Sequence, residues 1–138
     1  MREILLDTGP LVALLHRDDQ WHSWTLKQSA QLAPPFLTCE AVLTEAHYLL
    51  RSLPVAQAAL LGLVRDGFIQ PAFRLAEENE PLSKLLTRYA NVPMSLADAC
   101  LVRMSEIFDD GTVWTTDSDF LVYRKHRRQA IPLILPPP

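Results

Sequence analysis

The stretch ILLDTGPLVALL, residues 4–15, decides the fold class. Its first three residues form a short apolar run typical of a buried strand, and the apolar residues after Pro10 are typical of a helix. Asp7 lies between the two, at the carboxyl end of the predicted strand. Gly9 is predicted as the N-cap of the helix and Pro10 as its first residue. A strand that leads into a helix through an acidic turn indicates an α/β protein with a site at the strand end.

The same alternation of strand and helix patterns continues along the chain. Strands are predicted at Glu3–Leu6, Phe36–Thr38, Phe68–Phe73, Thr112–Thr115 and Ile131–Leu135. Helices are predicted at Leu11–Arg17, His22–Leu32, Cys39–Leu53, Val55–Arg65, Leu75–Tyr89 and Leu96–Phe108. Strands separated by one or two helices need crossover connections, which favour parallel pairing with helices on both faces. The sequence therefore predicts a three-layer α/β/α fold with a mainly parallel central sheet of about five strands.

Length and composition limit the class of protein. The chain has 138 residues, 49% of them hydrophobic and 21% charged, which predicts one globular domain over residues 1–138 and excludes a disordered or fibrous chain. No apolar run approaches the ~18 residues of a membrane span, and the apolar stretch at the start is too short for a signal peptide. Cys39 and Cys100 lie in apolar segments without zinc-ligand spacing, which favours buried free thiols. We therefore expect a cytoplasmic protein without a membrane partner.

The net charge of −3 argues against a protein that binds nucleic acid through bulk positive charge alone. The positions of the acids carry more information than their number. Asp7 ends the first predicted strand, and Asp117 and Asp119 follow the strand at 112–115. Because the carboxyl ends of parallel strands share one edge of the sheet, we expect these acids to lie near one another. The alternatives are that Asp7 only shapes its turn and that Asp117 or Ser118 caps a short helix, with Asp119 in its first turn.

Two further acids have apolar neighbours on predicted helices. Glu45 has largely apolar residues at i−4, i−3, i+3 and i+4, which predicts that it lies in the core-facing stripe of its helix. The alternative is a buried salt bridge to Arg51 or another arginine, because an unpaired buried carboxylate is costly. Asp98 also has apolar residues at i+3 and i+4, and the alternative there is a capping box with Ser95.

These four acids together predict a metal site. Asp7, Glu45, Asp98 and Asp117 come from two strand ends and two helices that can converge on one crevice. Four close carboxylates repel one another strongly unless a dication lies between them. Oxygen ligands suit hard cations, and no histidine or cysteine is spaced to join these acids, so we expect Mg²⁺ or Mn²⁺. The constellation indicates metal-dependent phosphate chemistry.

The acidic segments resemble, in order and spacing, the motifs of the PIN domain family, and within it the VapC-type ribonuclease toxins. The segments are LLDT at residues 5–8, TCEAVLTE at 38–45, LADA at 96–99 and TTDSDF at 115–120. The resemblance covers nearly the whole chain. It implies that the catalytic and metal-binding residues are Asp7, Glu45, Asp98 and Asp117, with Asp119 as a further or water-mediated metal ligand.

The resemblance also implies an activity and partners. The expected activity is hydrolysis of phosphodiester bonds in single-stranded or structured RNA with Mg²⁺ or Mn²⁺, as the toxin of a toxin–antitoxin pair. The expected partners are an RNA substrate, a cognate antitoxin protein and a second copy of the chain in a homodimer. The alternative is a non-catalytic PIN-like module that binds RNA or acts as a scaffold.

Weaker signals concern the substrate. Thr8 and Thr115 are expected to orient metal ligands or to hydrogen-bond substrate. The basic run RKHRR holds four of the 13 Lys and Arg residues, so we expect Arg124, Arg127 and Arg128 to contact RNA phosphate. The alternative is a solvated face.

A tryptophan pair gives another weak signal. Trp21 and Trp24 flank His22 and are suited to stacking on bases, although packing in the core or in a dimer is favoured. For His22 we expect a structural or partner-contacting role rather than a catalytic one.

Overall fold

The computed structural model describes residues 2–138 and contains a parallel five-stranded sheet. The seven strands are β1 (Ile4–Leu6), β2 (Phe36–Thr38), β3 (Ile69–Pro71), β4 (Thr112–Trp114), β5 (Arg124–Lys125), β6 (Gln129–Ala130) and β7 (Leu133–Ile134). The central sheet has the order β3-β2-β1-β4-β7, and each neighbouring pair is parallel. The predicted α/β class, sheet type and strand number are confirmed.

Within residues 2–138, six α-helices connect these strands, one for each predicted helix. They are α1 (Thr8–Leu15), α2 (His22–Ser29), α3 (Glu40–Leu49), α4 (Pro54–Arg65), α5 (Asn79–Arg88) and α6 (Leu96–Ile107). If the crossovers are right-handed, as such connections almost always are, the strand order assigns α1 to α4 to one face of the sheet and α5 and α6 to the other, with α3 and α6 in contact. In agreement, α1 packs against α2 and α3, while α5 packs against α6. Within the described range, no helix combines the length and the apolar character needed to cross a bilayer.

The start of α1 differs from the prediction. The helix begins at Thr8, and its N-cap is Asp7, whose carboxylate accepts a hydrogen bond from the Thr8 N–H at 2.7 Å. Gly9 is therefore inside the first turn, and its prediction as N-cap was wrong. An aspartate side chain satisfies a free N–H at a helix start, which glycine cannot do.

The core lies on both sides of the central strands. All three residues of β1 and all three of β4 are buried, because helices cover both faces of the sheet. Trp114 is fully buried and packs edge-on against Phe36, with ring centroids 5.4 Å apart. Cys39 and Cys100 are buried free thiols, as predicted.

A small antiparallel hairpin, β5 with β6, was not predicted. Its turn contains two non-glycine residues in the left-handed region, His126 with φ 48° and Arg127 with φ 73°. The buried Lys125 ammonium donates a hydrogen bond to the Asp109 carbonyl at 3.0 Å, which ties the hairpin to the residues that follow α6. The basic run is therefore a folded element and not an extended tail.

Candidate active site

The order of the strands reverses between β1 and β4. From β1 the chain proceeds to β2 and β3 on one side and then returns to β4 on the other. Ligands of open α/β sheets bind in the crevice at such a reversal, at the carboxyl ends of the strands. Leu6 pairs with Trp114 in the register, and the Asp7 N–H donates to the Trp114 carbonyl at 3.0 Å. Asp7 therefore lies directly beside the loop that follows β4.

Thr115 joins the two strand ends through its hydroxyl group. This buried hydroxyl donates to Asp7 Oδ2 at 2.6 Å and accepts from the Asp117 N–H at 2.9 Å. The other oxygen of Asp7 accepts from the Thr8 N–H. Thr115 thus orients Asp7 and the Asp117 backbone, which is one of the two roles predicted for it.

Gly9 lets the loop after β4 approach the first turn of α1 closely. A Cβ atom at this position would overlap the Oγ1 atom of Thr116. The absence of a side chain therefore lets the loop after β4 lie against the first turn of α1. Gly9 contributes to the site by shape and not by capping.

Glu45 does not lie in the core-facing stripe of α3, and that prediction was wrong. The buried positions of this helix are Val42 and Ala46, whereas Glu45 is exposed. Its apolar neighbours were misleading because Tyr48 and Leu49 are themselves 60% and 48% exposed. An apolar residue on a helix does not always mark the side that faces the core.

The contacts of Glu45 point toward the site. Its Oε2 atom accepts a hydrogen bond from the Thr8 hydroxyl at 3.0 Å, so the first turn of α1 links it to Asp7. Across residues 2–138 Glu45 forms no ion pair, and the Arg51 guanidinium lies over the Tyr48 ring, 4.1 Å from its centroid. The predicted alternative of a buried salt bridge was therefore also wrong.

Asp98 lies half-buried in the first turn of α6. Its N–H donates to the Ser95 hydroxyl at 3.0 Å, so the predicted Ser95 cap is present. Its Oδ2 atom accepts from the Tyr123 hydroxyl at 2.9 Å. Burial raises the pKa of Asp98, with a further contribution from the charge of Asp117, while the hydrogen bond from Tyr123 acts in the opposite direction.

Sequence reasoning missed Tyr123. This fully buried side chain packs edge-on against Phe120 and Tyr89, with ring centroids 5.1 and 5.2 Å away. Burial raises the pKa of its phenol above the usual value, and the charge of Asp98 adds to the effect. Tyr123 therefore stays protonated and donates to the carboxylate. No local pattern marks it, because its partner is 25 positions away in the chain.

Asp117 caps the short 3₁₀ helix Ser118–Leu121, as the capping alternative predicted. Its Oδ1 atom accepts from the Asp119 N–H at 2.9 Å. Asp117 is half-buried, and Asp119 is exposed in the first turn of that helix. Capping uses one carboxylate oxygen, and within the described chain Asp117 Oδ2 accepts no side-chain hydrogen bond.

The carboxylates influence one another electrostatically. Burial raises the pKa of Asp7 to about 7, hydrogen bonds from Thr115 and Thr8 oppose this rise, and the charges of Asp98 and Asp117 increase it. None of these three acids is ion-paired with a lysine, arginine or histidine in the part of the chain that the structure describes. The crevice therefore concentrates negative charge that no described side chain neutralises.

The donor chemistry suits a hard cation, although the acids do not yet surround one. Across positions 2–138, no group of three His, Cys, Asp or Glu side chains is arranged to hold a metal ion. Instead, three of the acids each accept a hydrogen bond from a hydroxyl group: Asp7 from Thr115, Glu45 from Thr8 and Asp98 from Tyr123. Carboxylate oxygens are the ligands that Mg²⁺ and Mn²⁺ prefer, so the residues present fit either ion.

The structure does not bring the basic residues among the acids. The Arg124 guanidinium donates to two backbone carbonyls of its own segment, at 2.8 and 3.0 Å. Arg127 and Arg128 are exposed in the hairpin, whose turn is bound to Glu106 near the end of α6. Glu106 is two helical turns beyond Asp98, about 12 Å along the axis. A contact with RNA here would lie at a distance from the carboxylates.

The tryptophan pair and His22 stabilise the start of α2. The rings of Trp21 and Trp24 meet edge-on, with centroids 6.3 Å apart. The Nδ1 atom of His22 lies 2.6 Å from the Ala13 carbonyl and donates to it, which joins α2 to α1. This contact supports a structural role for His22, one of the two roles expected for it.

Comparison with solved structures defines the fold. The crystal structure of Mycobacterium tuberculosis VapC20, a toxin that cleaves the sarcin-ricin loop, matches with a TM-score of 0.77 and 21% sequence identity. The match covers 85% of this chain and 92% of that one. The chain has a VapC-like fold. No family model and no curated protein matches the sequence. The VapC-like fold agrees with the PIN-like α/β/α architecture expected from the acidic motifs.

Proposed function

We propose that the chain is a metal-dependent ribonuclease that hydrolyses phosphodiester bonds in single-stranded or structured RNA. The observation that carries this proposal is the group of Asp7, Asp98 and Asp117, none of which has a cationic partner among the described residues. The charges of Asp98 and Asp117 raise the pKa of Asp7, and the charge of Asp117 raises the pKa of Asp98. Such repulsion is relieved by a bound dication. Similarity to VapC20, a toxin that cleaves the sarcin-ricin loop, supports RNA as the substrate class.

We propose different roles for the acids according to how buried they are. Asp7, Asp98 and Asp117 are the proposed ligands of Mg²⁺ or Mn²⁺, with Asp119 as a further or water-mediated ligand. Such an ion, when bound, supplies charge neutralisation at the phosphate and a lower pKa for an attacking water. Glu45 is exposed, and we propose that it accepts the proton of that water.

Hydroxyl groups hold these acids in place. Thr8 donates to Glu45, Thr115 donates to Asp7, and Tyr123 donates to Asp98, so three carboxylates each have a fixed donor. These donors limit the directions in which the carboxylates can turn. They are positioning residues for the reaction.

The similarity to VapC20 also supports partners. We propose a cognate antitoxin that covers the acidic crevice, a homodimer, and a cytoplasmic location, since a toxin that cleaves RNA must meet its substrate there.

Cleavage of labelled RNA tests the proposed function. Wild type should cleave a single-stranded or hairpin RNA with Mg²⁺ or Mn²⁺ and should be inactive in EDTA. Asp98→Asn should lose activity by about 100-fold or more because it removes a ligand charge without removing side-chain volume. The matched control is Asp110→Asn, which alters an exposed acid just before β4, at the opposite edge of the sheet.

The outcomes separate catalysis from binding alone. RNA binding without cleavage under any metal would support the non-catalytic module instead. Equal activity in EDTA and in Mg²⁺, with contaminating nuclease excluded by the Asp98→Asn protein, would contradict metal dependence.

A further inference from the structure

An apolar cavity borders the Asp117 loop, and none of the roles assigned above uses it. Its volume is about 320 Å³. The lining residues are Trp21, Thr116, Ser118, Leu121, Leu135 and the prolines at 136–138. Thr116 and Ser118 are the chain neighbours of Asp117 on its two sides. A molecule in this cavity therefore lies against the chain segment that carries Asp117, although the Asp117 side chain is not part of the lining.

The walls suit a flat, uncharged ring. Trp21 contributes an aromatic side chain that makes an edge contact with Trp24. The backbone N–H of Trp21 donates a hydrogen bond to Asp19 Oδ1 at 2.8 Å, which fixes the chain at this position. Leu121, in the segment that follows β4, is an apolar lining residue that is 57% exposed. No charged side chain of the described residues lines the cavity, and its polar side chains are Thr116 and Ser118.

The size of the cavity limits the occupant. A volume of about 320 Å³ is at the lower end of the range for small-molecule pockets, about 300–1,000 Å³. This volume fits a single nucleobase. Stacking of a base on an aromatic side chain, with hydroxyl groups near the ring edge, is a common way for proteins to hold single-stranded RNA.

We propose that this cavity, which we call the Trp21 pocket, binds one base of the RNA strand next to the phosphodiester bond that is cleaved. The inference rests on the proposed ribonuclease function and adds a substrate subsite to it. An RNA strand that passes the carboxylates presents a base on each side of the reacting phosphate. The Trp21 pocket receives one of these bases and fixes the position of the strand relative to Asp117.

Binding in EDTA tests the Trp21 pocket without cleavage. The probe is a labelled single-stranded RNA hexamer, and the readout is fluorescence anisotropy. Loss of stacking is worth about 1–3 kcal/mol per base, so Trp21→Ala should weaken binding by about 5- to 150-fold. Trp21→Phe should restore much of the affinity because it keeps an aromatic face. The matched control is Leu26→Ala, which removes a side chain that is 45% exposed on the same helix but outside the cavity.

A second variant and a double-mutant cycle distinguish loss of the base contact from misfolding of Trp21→Ala. Leu121→Ser alters another lining residue of the Trp21 pocket, at an exposed position, and should also weaken binding. RNA hexamers with one abasic position are then compared on wild type and Trp21→Ala. At one position, loss of the base should weaken binding to wild type but have no further effect on Trp21→Ala, because both changes remove the same contact.

Three results would overturn the proposal, and they differ from a failure of the proposed function. Additive effects at every abasic position, or unchanged affinity of Trp21→Ala, would show that RNA binds elsewhere. A dimer that dissociates in Trp21→Ala, measured by sedimentation, would show that a second copy covers the pocket. No RNA binding by wild type in EDTA, together with no cleavage in Mg²⁺ or Mn²⁺, would instead remove the proposed ribonuclease function on which the subsite depends.

Discussion

Replacing Asp7 by asparagine should stabilise the metal-free protein at neutral and alkaline pH. Asp7 is 6% exposed, and burial raises its pKa from 3.8 to about 7. Each tenfold change in proton affinity corresponds to about 1.4 kcal/mol, so keeping this carboxyl ionised lowers the free energy of unfolding by about 4 kcal/mol. Asparagine carries no charge and avoids this loss.

The sign of the pH dependence follows from the raised pKa. Below about pH 4 both the native and the unfolded protein keep the proton on Asp7, and the group does not destabilise the fold. As the pH rises from about 4 to about 7, the unfolded chain ionises first, and the stability contributed by the protonated form is lost. The advantage of Asp7→Asn should therefore be near its full size at pH 8 and small at pH 4.5.

The expected net gain is smaller than the full electrostatic cost. Asparagine cannot accept hydrogen bonds on both of its side-chain atoms as Asp7 does from Thr8 and Thr115. The lost hydrogen bond lowers stability by about 1–2 kcal/mol, which leaves a gain of about 2–3 kcal/mol at pH 8. For a chain of this size we expect a rise in Tm of about 6–10 °C.

Thermal and urea melts by circular dichroism in EDTA, at pH 4.5 and pH 8, measure this effect, with Asp110→Asn as the exposed control. Adding Mn²⁺ at 100 times its Kd should then stabilise wild type by about 2.7 kcal/mol and Asp7→Asn far less, because the variant lacks a ligand. A variant that is less stable than wild type at pH 8, or a difference that does not change with pH, would refute the reasoning.

Three further predictions concern the same crevice and the hairpin. Glu45→Gln should change metal-free stability by less than about 1 kcal/mol, because the side chain is exposed and forms no ion pair among the described residues. The same change should lower kcat about 100-fold in RNA cleavage assays. Gly9→Ala should lower kcat while the protein stays folded, because its Cβ displaces the Thr116 side chain and with it the Asp117 loop, a shift visible in a crystal structure. Changing Arg127 and Arg128 together to glutamine should lower the slope of log K against log salt by about 1.4 for single-stranded RNA, and an unchanged slope would leave only the solvated face.

Local patterns were sufficient to predict the sheet and the acids at its edge. The apolar runs before Asp7 and Asp117 are short, fully buried strands, so the positions of both acids follow from the parallel sheet alone. Ser95 was also predictable as a cap because the hydroxyl group and its helix are adjacent in sequence. Interactions of this kind depend on a few consecutive residues.

The environment of each acid was less predictable because it depends on distant residues. The exposure of Glu45 follows from how α3 rotates against α1, which its own apolar neighbours do not reveal. The donor to Asp98 is Tyr123, which comes after β4 in the chain, 25 positions beyond Asp98. The hairpin formed by β5 and β6 was missed because its short polar strands lack alternating apolar residues, and its turn has left-handed residues other than glycine.

The hydrogen bond between Thr115 and Asp7 spans 108 positions of the chain. During synthesis it can therefore form only after all the residues between them have been added. A nascent polypeptide that has emerged only as far as α5 contains Asp7 and Glu45 but neither Asp98 nor Asp117. Domains fold largely as units, and β1 lacks its neighbour β4 until that strand leaves the ribosome. A growing chain therefore has no complete carboxylate crevice before Asp98 and Asp117 have left the ribosome. The order of the strands therefore delays assembly of the proposed site until β4 and the loop after it have left the ribosome.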